Sequence, residues 1–124
     1  MTVATHSHPV DASAVEHAQS AILSTLEADR LASLLGVLDD QVRVRMLFAL
    51  ASVEELCVGD LALALGISMD QSSYALKQLR AAGVVGSRRD GRVIYYRLAD
   101  GFPHQLLEHC LHELLKIANR EAQR

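Results

Sequence analysis

The chain has 124 residues, half of them hydrophobic and 22% charged, which suits one packed domain and excludes wholesale disorder. Twelve Lys and Arg stand against 15 Asp and Glu, a net charge of −3 that excludes a uniformly basic coat but not a local basic patch. The few aromatics, Tyr74, Tyr95, Tyr96, Phe48 and Phe102, argue against a stacking platform for single-stranded nucleic acid, and two cysteines, Cys57 and Cys110, are too few for a disulfide scaffold and suit a reducing cytosol.

Residues 1–10 are small and polar and read as a flexible tail, followed by a single domain over 11–124. From Asp11 to Leu38, Val15, Ala18, Ile22, Leu26, Leu31, Leu34, Leu35 and Leu38 recur at helical spacing, with Asp11 or Ser13 as cap and a break expected near Ala28–Asp29. A further helix is expected from about Asp40 to Ser52, capped by Asp39 or Asp40. A short helix follows, about Val58 to Leu65, ended by Gly66. Ser68 caps another from Met69 to about Ala82, with Gly83 at its end. Two helices joined by a Gly-containing turn make a helix-turn-helix.

The period then changes. Val84 and Val85 start a strand, Arg88 to Arg92 read as a turn around Asp90-Gly91, and Val93 to Leu98 form the returning strand. Ala99 to Pro103 read as a loop, and Pro103 opens a last helix reaching about Arg120. The expected fold is mainly α with a two-stranded β-hairpin wing, a winged helix-turn-helix. The longest apolar run, about Leu61 to Ile67, falls far short of the ~20 residues of a membrane span. Met1 to Asp11 has no basic or apolar signal region, so a soluble, cytoplasmic protein is expected.

Charge is concentrated between residues 77 and 97, where Lys77, Arg80, Arg88, Arg89, Arg92 and Arg97 face one acid, Asp90. Such a face suits double-stranded DNA: wing cations meet phosphates, and the second helix of the pair enters the major groove. Gln71, Ser72, Ser73, Tyr74, Lys77 and Gln78 are the candidate reading residues, with Arg80, Arg88, Arg89 and Arg92 as phosphate partners; Leu76 and Leu79 face the core. One such helix gives limited affinity, so a dimer on a two-fold operator is the expected unit. The apolar stripe Leu107, Cys110, Leu111, Leu114 and Ala118, with the first helices, is the candidate dimer surface.

Four segments resemble the ArsR/SmtB family of bacterial metal-responsive repressors over roughly residues 30 to 100. Val37 to Leu47 resembles "LADPxRLxIL", and Glu55 to Ala62 is similar to "ELCVGDLA" of the zinc-sensing branch. Ser68 to Gly83 resembles "SxSxVSxHLxxLRxAG" through Ser73, Leu76, Leu79-Arg80 and Ala82-Gly83, and Arg89 to Leu98 resembles "RxGRxVYYxL". Gln41 replaces the usual Pro, and Tyr74-Ala75 replace residues that are usually polar, often His. The resemblance implies an inducer, often a metal ion, and release of DNA on binding it.

Two ligand sets are candidates. Cys57 and Asp60, three apart at the start of the short helix, offer a thiolate and a carboxylate; the resemblance implies completion by the other subunit's N-terminal region, here His6, His8 or His17. That set suits zinc, nickel or cobalt. Cys57 as a small packed side chain and Asp60 as a cap is the alternative. On the last helix, the family's site is matched by Asp100 but broken at Phe102, Glu113 and Lys116; a shifted set of Asp100, His104, His109, His112 and Glu113 is the second candidate, against surface histidines on a solvated helix.

There is no Gly-rich phosphate loop, nucleophile elbow or HExxH, so no enzyme is expected. Two other readings stay open: a thiol redox switch at Cys57 or Cys110, and a His-rich metal- or partner-binding protein that needs a partner to bind DNA.

Overall fold

A computed structural model of the chain describes residues 7–100 and 104–122, with only the backbone of residues 104, 106 and 107. The expected helix start at Pro103 lies outside the described residues, as do Phe102 and the Leu107 side chain. The order is α1 (Ala12–Ala21), α2 (Thr25–Gly36), α3 (Gln41–Ser52), β1 (Leu56–Cys57), α4 (Val58–Leu65), α5 (Met69–Ala81), β2 (Val85–Asp90), β3 (Val93–Leu98) and α6 (His104–Ala122). The chain divides into two compact units, residues 1–33 and 34–124.

In the first unit, the Asp11 carboxylate accepts from the Ala14 amide and caps α1. The helical stretch breaks at residues 22–24, not near Ala28–Asp29. Ser24 sets the new start: its hydroxyl accepts from the Glu27 amide at 3.1 Å and donates to the Glu27 carboxylate at 3.2 Å. Local capping chemistry overrides an apolar period that runs on through the break. No residue of α1 or α2 is buried.

The second unit has one core. Met46, Leu47 and Leu50 of α3, Leu61 and Leu65 of α4, and Ala75, Leu76 and Leu79 of α5 meet Val84 and Val85 at the entry to the wing. These are the inward positions of three short helices, each too short to be stable without burying an apolar face. Asp40 caps α3 through the Arg43 amide. Helices α4 and α5 end alike: the amide of Ile67 bonds the Ala62 carbonyl, and that of Val84 bonds the Leu79 carbonyl. Gly66 (φ +69°) and Gly83 (φ +77°) take the left-handed position this closure requires.

The sheet has three strands in the order β1-β3-β2, all antiparallel, where the sequence suggests two. Leu56 pairs Tyr96 and Cys57 pairs Tyr95. The hairpin turn is tighter than expected: Asp90 pairs Val93, so only Gly91 and Arg92 form the loop. Gly91 alone has positive φ there (+64°), the pattern of a type II′ turn, which matches strand twist. Arg88 and Arg89 are therefore strand residues. Among the described residues no helix is long and apolar enough to cross a membrane.

Candidate nucleic-acid interface

Helix α5 is the second helix of the pair, and its start is fixed by a reciprocal capping box. The Ser68 hydroxyl accepts from the Gln71 amide at 3.1 Å, and the Gln71 side-chain oxygen accepts from the Ser68 amide at 3.0 Å. With Leu76 and Leu79 fully buried, the opposite face carries exposed Gln71, Ser73, Tyr74, Lys77 and Arg80. Tyr74 is 65% exposed, and Ala75 beside it packs in the core.

An open groove of about 470 Å³ runs between α5 and β3, lined by Ser73, Leu76, Lys77, Arg80, Ala81 and Tyr96. Two cations, a hydroxyl and a phenol around an apolar floor suit a phosphate-sugar backbone. Beyond it the wing tip presents exposed Arg89 and Arg92.

The structure turns two of the expected DNA contacts inward, Ser72 and Gln78, and engages part of a third, Gln71. Ser72 is completely buried, and its hydroxyl donates to the Val58 carbonyl at 3.0 Å, tying α5 to α4. Gln78 is half-buried, its side-chain oxygen accepting from Arg43 Nη1 at 2.8 Å. The same guanidinium donates through Nε to the Val37 carbonyl at 2.6 Å, so Arg43 braces α5 against the chain before α3. Gln71 is exposed, but its carbonyl oxygen serves the cap, leaving its NH₂ group as the outward donor.

Arg88 is also committed. Its Nε donates to both Glu55 carboxylate oxygens at 2.8 and 3.1 Å, Nη2 pairs with Glu55, Nη1 lies 4.0 Å from Asp90, and the guanidinium carbon sits 4.6 Å above the Tyr95 ring. The hydrogen bond and charge of Arg88 hold the Glu55 carboxyl below its ordinary range, and the same hydrogen bond raises Arg88. Sequence reasoning singled out neither Arg43 nor Glu55 for these roles, because their partners lie 35 and 33 residues away.

The metal candidates do not assemble within the described residues. No group of three or more His, Cys, Asp or Glu there could hold a metal ion. Cys57 is the extended N-cap of α4 and the end of β1, half-buried, with Asp60 exposed in the first turn. Their two donors alone do not complete a metal centre. His8 and His17 are exposed residues of the first unit, and His6 lies outside the described residues.

In the α6 set, Asp100 pairs with Arg97 at 3.3 Å and Glu113 with Lys116 at 2.9 Å. The His112 ring packs edge-on against Phe48, with centroids 5.2 Å apart, and its Nε2 lies 3.8 Å from Glu108. His109 is exposed, and the His104 side chain lies outside the described residues.

The family model for "Bacterial regulatory protein, arsR family" matches residues 40–87, from the cap of α3 into β2. Among curated proteins the chain is similar to a transcriptional repressor SmtB homolog of Synechocystis, 41% identical over 86 residues, covering 69% of this chain and 64% of the relative. It is also similar to a cadmium resistance transcriptional regulatory protein CadC homolog of Staphylococcus aureus, 33% identical over 89 residues, covering 72% of this chain and 74% of that protein. The chain spans slightly less than two thirds of the length of the first curated relatives it matches. Among solved structures, a homodimeric winged helix-turn-helix DNA-binding domain from Mycobacterium bovis, described as a possible ArsR-family regulator, aligns with a TM-score of 0.63 at 29% identity, over 77% of this chain and 90% of that one. The family match, the likeness to the CadC homolog and the shared winged-helix fold lead to one assignment: the chain belongs to the ArsR family of bacterial regulatory proteins.

Proposed function

We propose that the chain is a dimeric, cytoplasmic DNA-binding transcriptional repressor whose operator binding is controlled by a transition metal ion. The observation that carries the DNA reading is a cationic face on a chain of net charge −3: Lys77 and Arg80 flank the α5–β3 groove, and Arg89 and Arg92 extend it along the wing. With α5 in the major groove, Ser73, Tyr74 and the Gln71 NH₂ group reach base edges, while the four cations meet phosphates. Exposed Leu114, Leu115 and Ile117 on α6 offer the apolar surface for a second copy. The homodimeric relative from Mycobacterium bovis supports that assembly.

Metal control draws support from the relatives' described roles, which include cadmium and arsenic resistance. Here Cys57 and Asp60 supply a thiolate and a carboxylate, and His6, His8 or His17 supplies imidazole. Zinc, nickel and cobalt suit that donor set.

A gel-shift against genomic fragments, with and without EDTA and with each metal added back, tests the whole reading. The expected result is a retarded fragment that one of the three metals releases. Cobalt added anaerobically gives a sulfur-to-metal charge-transfer band in the near ultraviolet, lost in Cys57→Ser. Tight cobalt binding without that band moves the site to nitrogen and oxygen donors.

A further inference from the structure

The two neighbouring wing arginines are not equivalent. Strand residues alternate faces, and directly paired residues share one. Arg89 pairs Ile94 and so lies on the face that carries Tyr96, the face turned to the α5 groove. Arg88 pairs Tyr95, which pairs Cys57, so these three form a row across the opposite face. Glu55, two residues before Cys57, reaches the end of that row and meets the Arg88 guanidinium with both carboxylate oxygens. Asp90 stands 4.0 Å from the remaining nitrogen, and Tyr95 covers one face of the group. The Glu55 side chain is only 23% exposed, so its carboxylate is held in place before any DNA arrives.

We propose that Glu55 is a positioning residue of the DNA interface: through Arg88 and Tyr95 it fastens the wing to β1 and the start of α4, and it thereby withdraws Arg88 from phosphate contact. The inference rests on the DNA-binding reading above. A cation already neutralised by an intramolecular carboxylate displaces no counterion when DNA binds, so it adds nothing to the salt dependence. Its effect on affinity comes from the angle at which Arg89 and Arg92 are presented. Glu55 and Arg88 then act as one unit, and losing either loses the same thing.

The test is fluorescence anisotropy of the full chain with a mixed-sequence DNA duplex over a series of salt concentrations. It compares wild type, Glu55→Gln, Arg88→Gln, the double variant and Arg89→Gln. The expected result is a slope of log affinity against log salt that is unchanged in Arg88→Gln, does not fall in Glu55→Gln, where Arg88 is left as an unneutralised cation that can only add to it, and falls by about one unit in Arg89→Gln. Each clamp variant weakens binding by about three- to tenfold, and the double variant weakens it no more than the worse single one. A slope in Arg88→Gln that falls as it does in Arg89→Gln overturns the proposal. So does a double variant whose loss is the product of the two single losses. A wild-type chain that shows no salt-dependent binding overturns the DNA reading itself; a salt-dependent wild type with a fallen Arg88→Gln slope overturns only the clamp.

Discussion

At Ser68 a single hydroxyl decides where α5 begins, because the first amides of any helix lack intrahelical partners. Ser68→Ala removes that acceptor and is expected to cost about 1 kcal/mol in urea denaturation. Adjacent serines four and five residues later have opposite fates. Ser72→Ala leaves the Val58 carbonyl without its donor and is expected to cost about 1 kcal/mol with no change in DNA sequence preference. Ser73→Ala should be nearly neutral in stability and change preference among binding sites, read by selection from a random-sequence DNA pool. Helical spacing separates them: Ser72 lies four and seven residues before Leu76 and Leu79 and so shares their inward face, while Ser73 does not. What the spacing leaves open is the partner, the Val58 carbonyl that α4 brings over the Ser72 hydroxyl.

Among the elements, those bounded by strong local chemistry were legible. Gly66, Ser68 and Gly83 punctuate α4 and α5 through caps whose geometry depends on a few adjacent residues. Where the deciding partner is distant, reading failed. Strand β1 has two residues and no period of its own, and it exists because Tyr95 and Tyr96 offer it a free edge. Its absence from the sequence reading also hid the Glu55–Arg88 pair and made Arg88 look like another phosphate cation. The break between α1 and α2 falls at residues 22–24, although Ile22 and Leu26 keep the helical period across it, because the Ser24–Glu27 cap sets the start of α2. The element-level prediction concerns the two halves of the interface. Arg92→Gln should weaken binding to all sequences alike and lower the salt slope by about one unit. Tyr74→Ala should shift preference between sequences with the slope unchanged. Both are measured by competition titrations against several duplexes.

For the molecule as a whole, the family and the fold were within reach of the sequence, because motif spacing and the change from helical to strand period survive without coordinates. The proposed metal site was not, since Cys57 and Asp60 offer only two donors and the histidines proposed to join them lie far from that segment in the sequence. The proposed dimer is testable apart from it. Leu114 is 59% exposed, so Leu114→Glu leaves the core of one chain intact. It is expected to give monomers by light scattering, with tight operator binding lost in parallel because the two half-sites are no longer linked. The central claim, that α5 and the wing form the DNA-binding face, is tested most directly by NMR. The isotope-labelled full chain is titrated with duplex DNA, and amide shifts are mapped. The account predicts that the changes concentrate at residues 69–80 and 88–93; changes confined to residues 104–122, or none at saturating DNA, would contradict it.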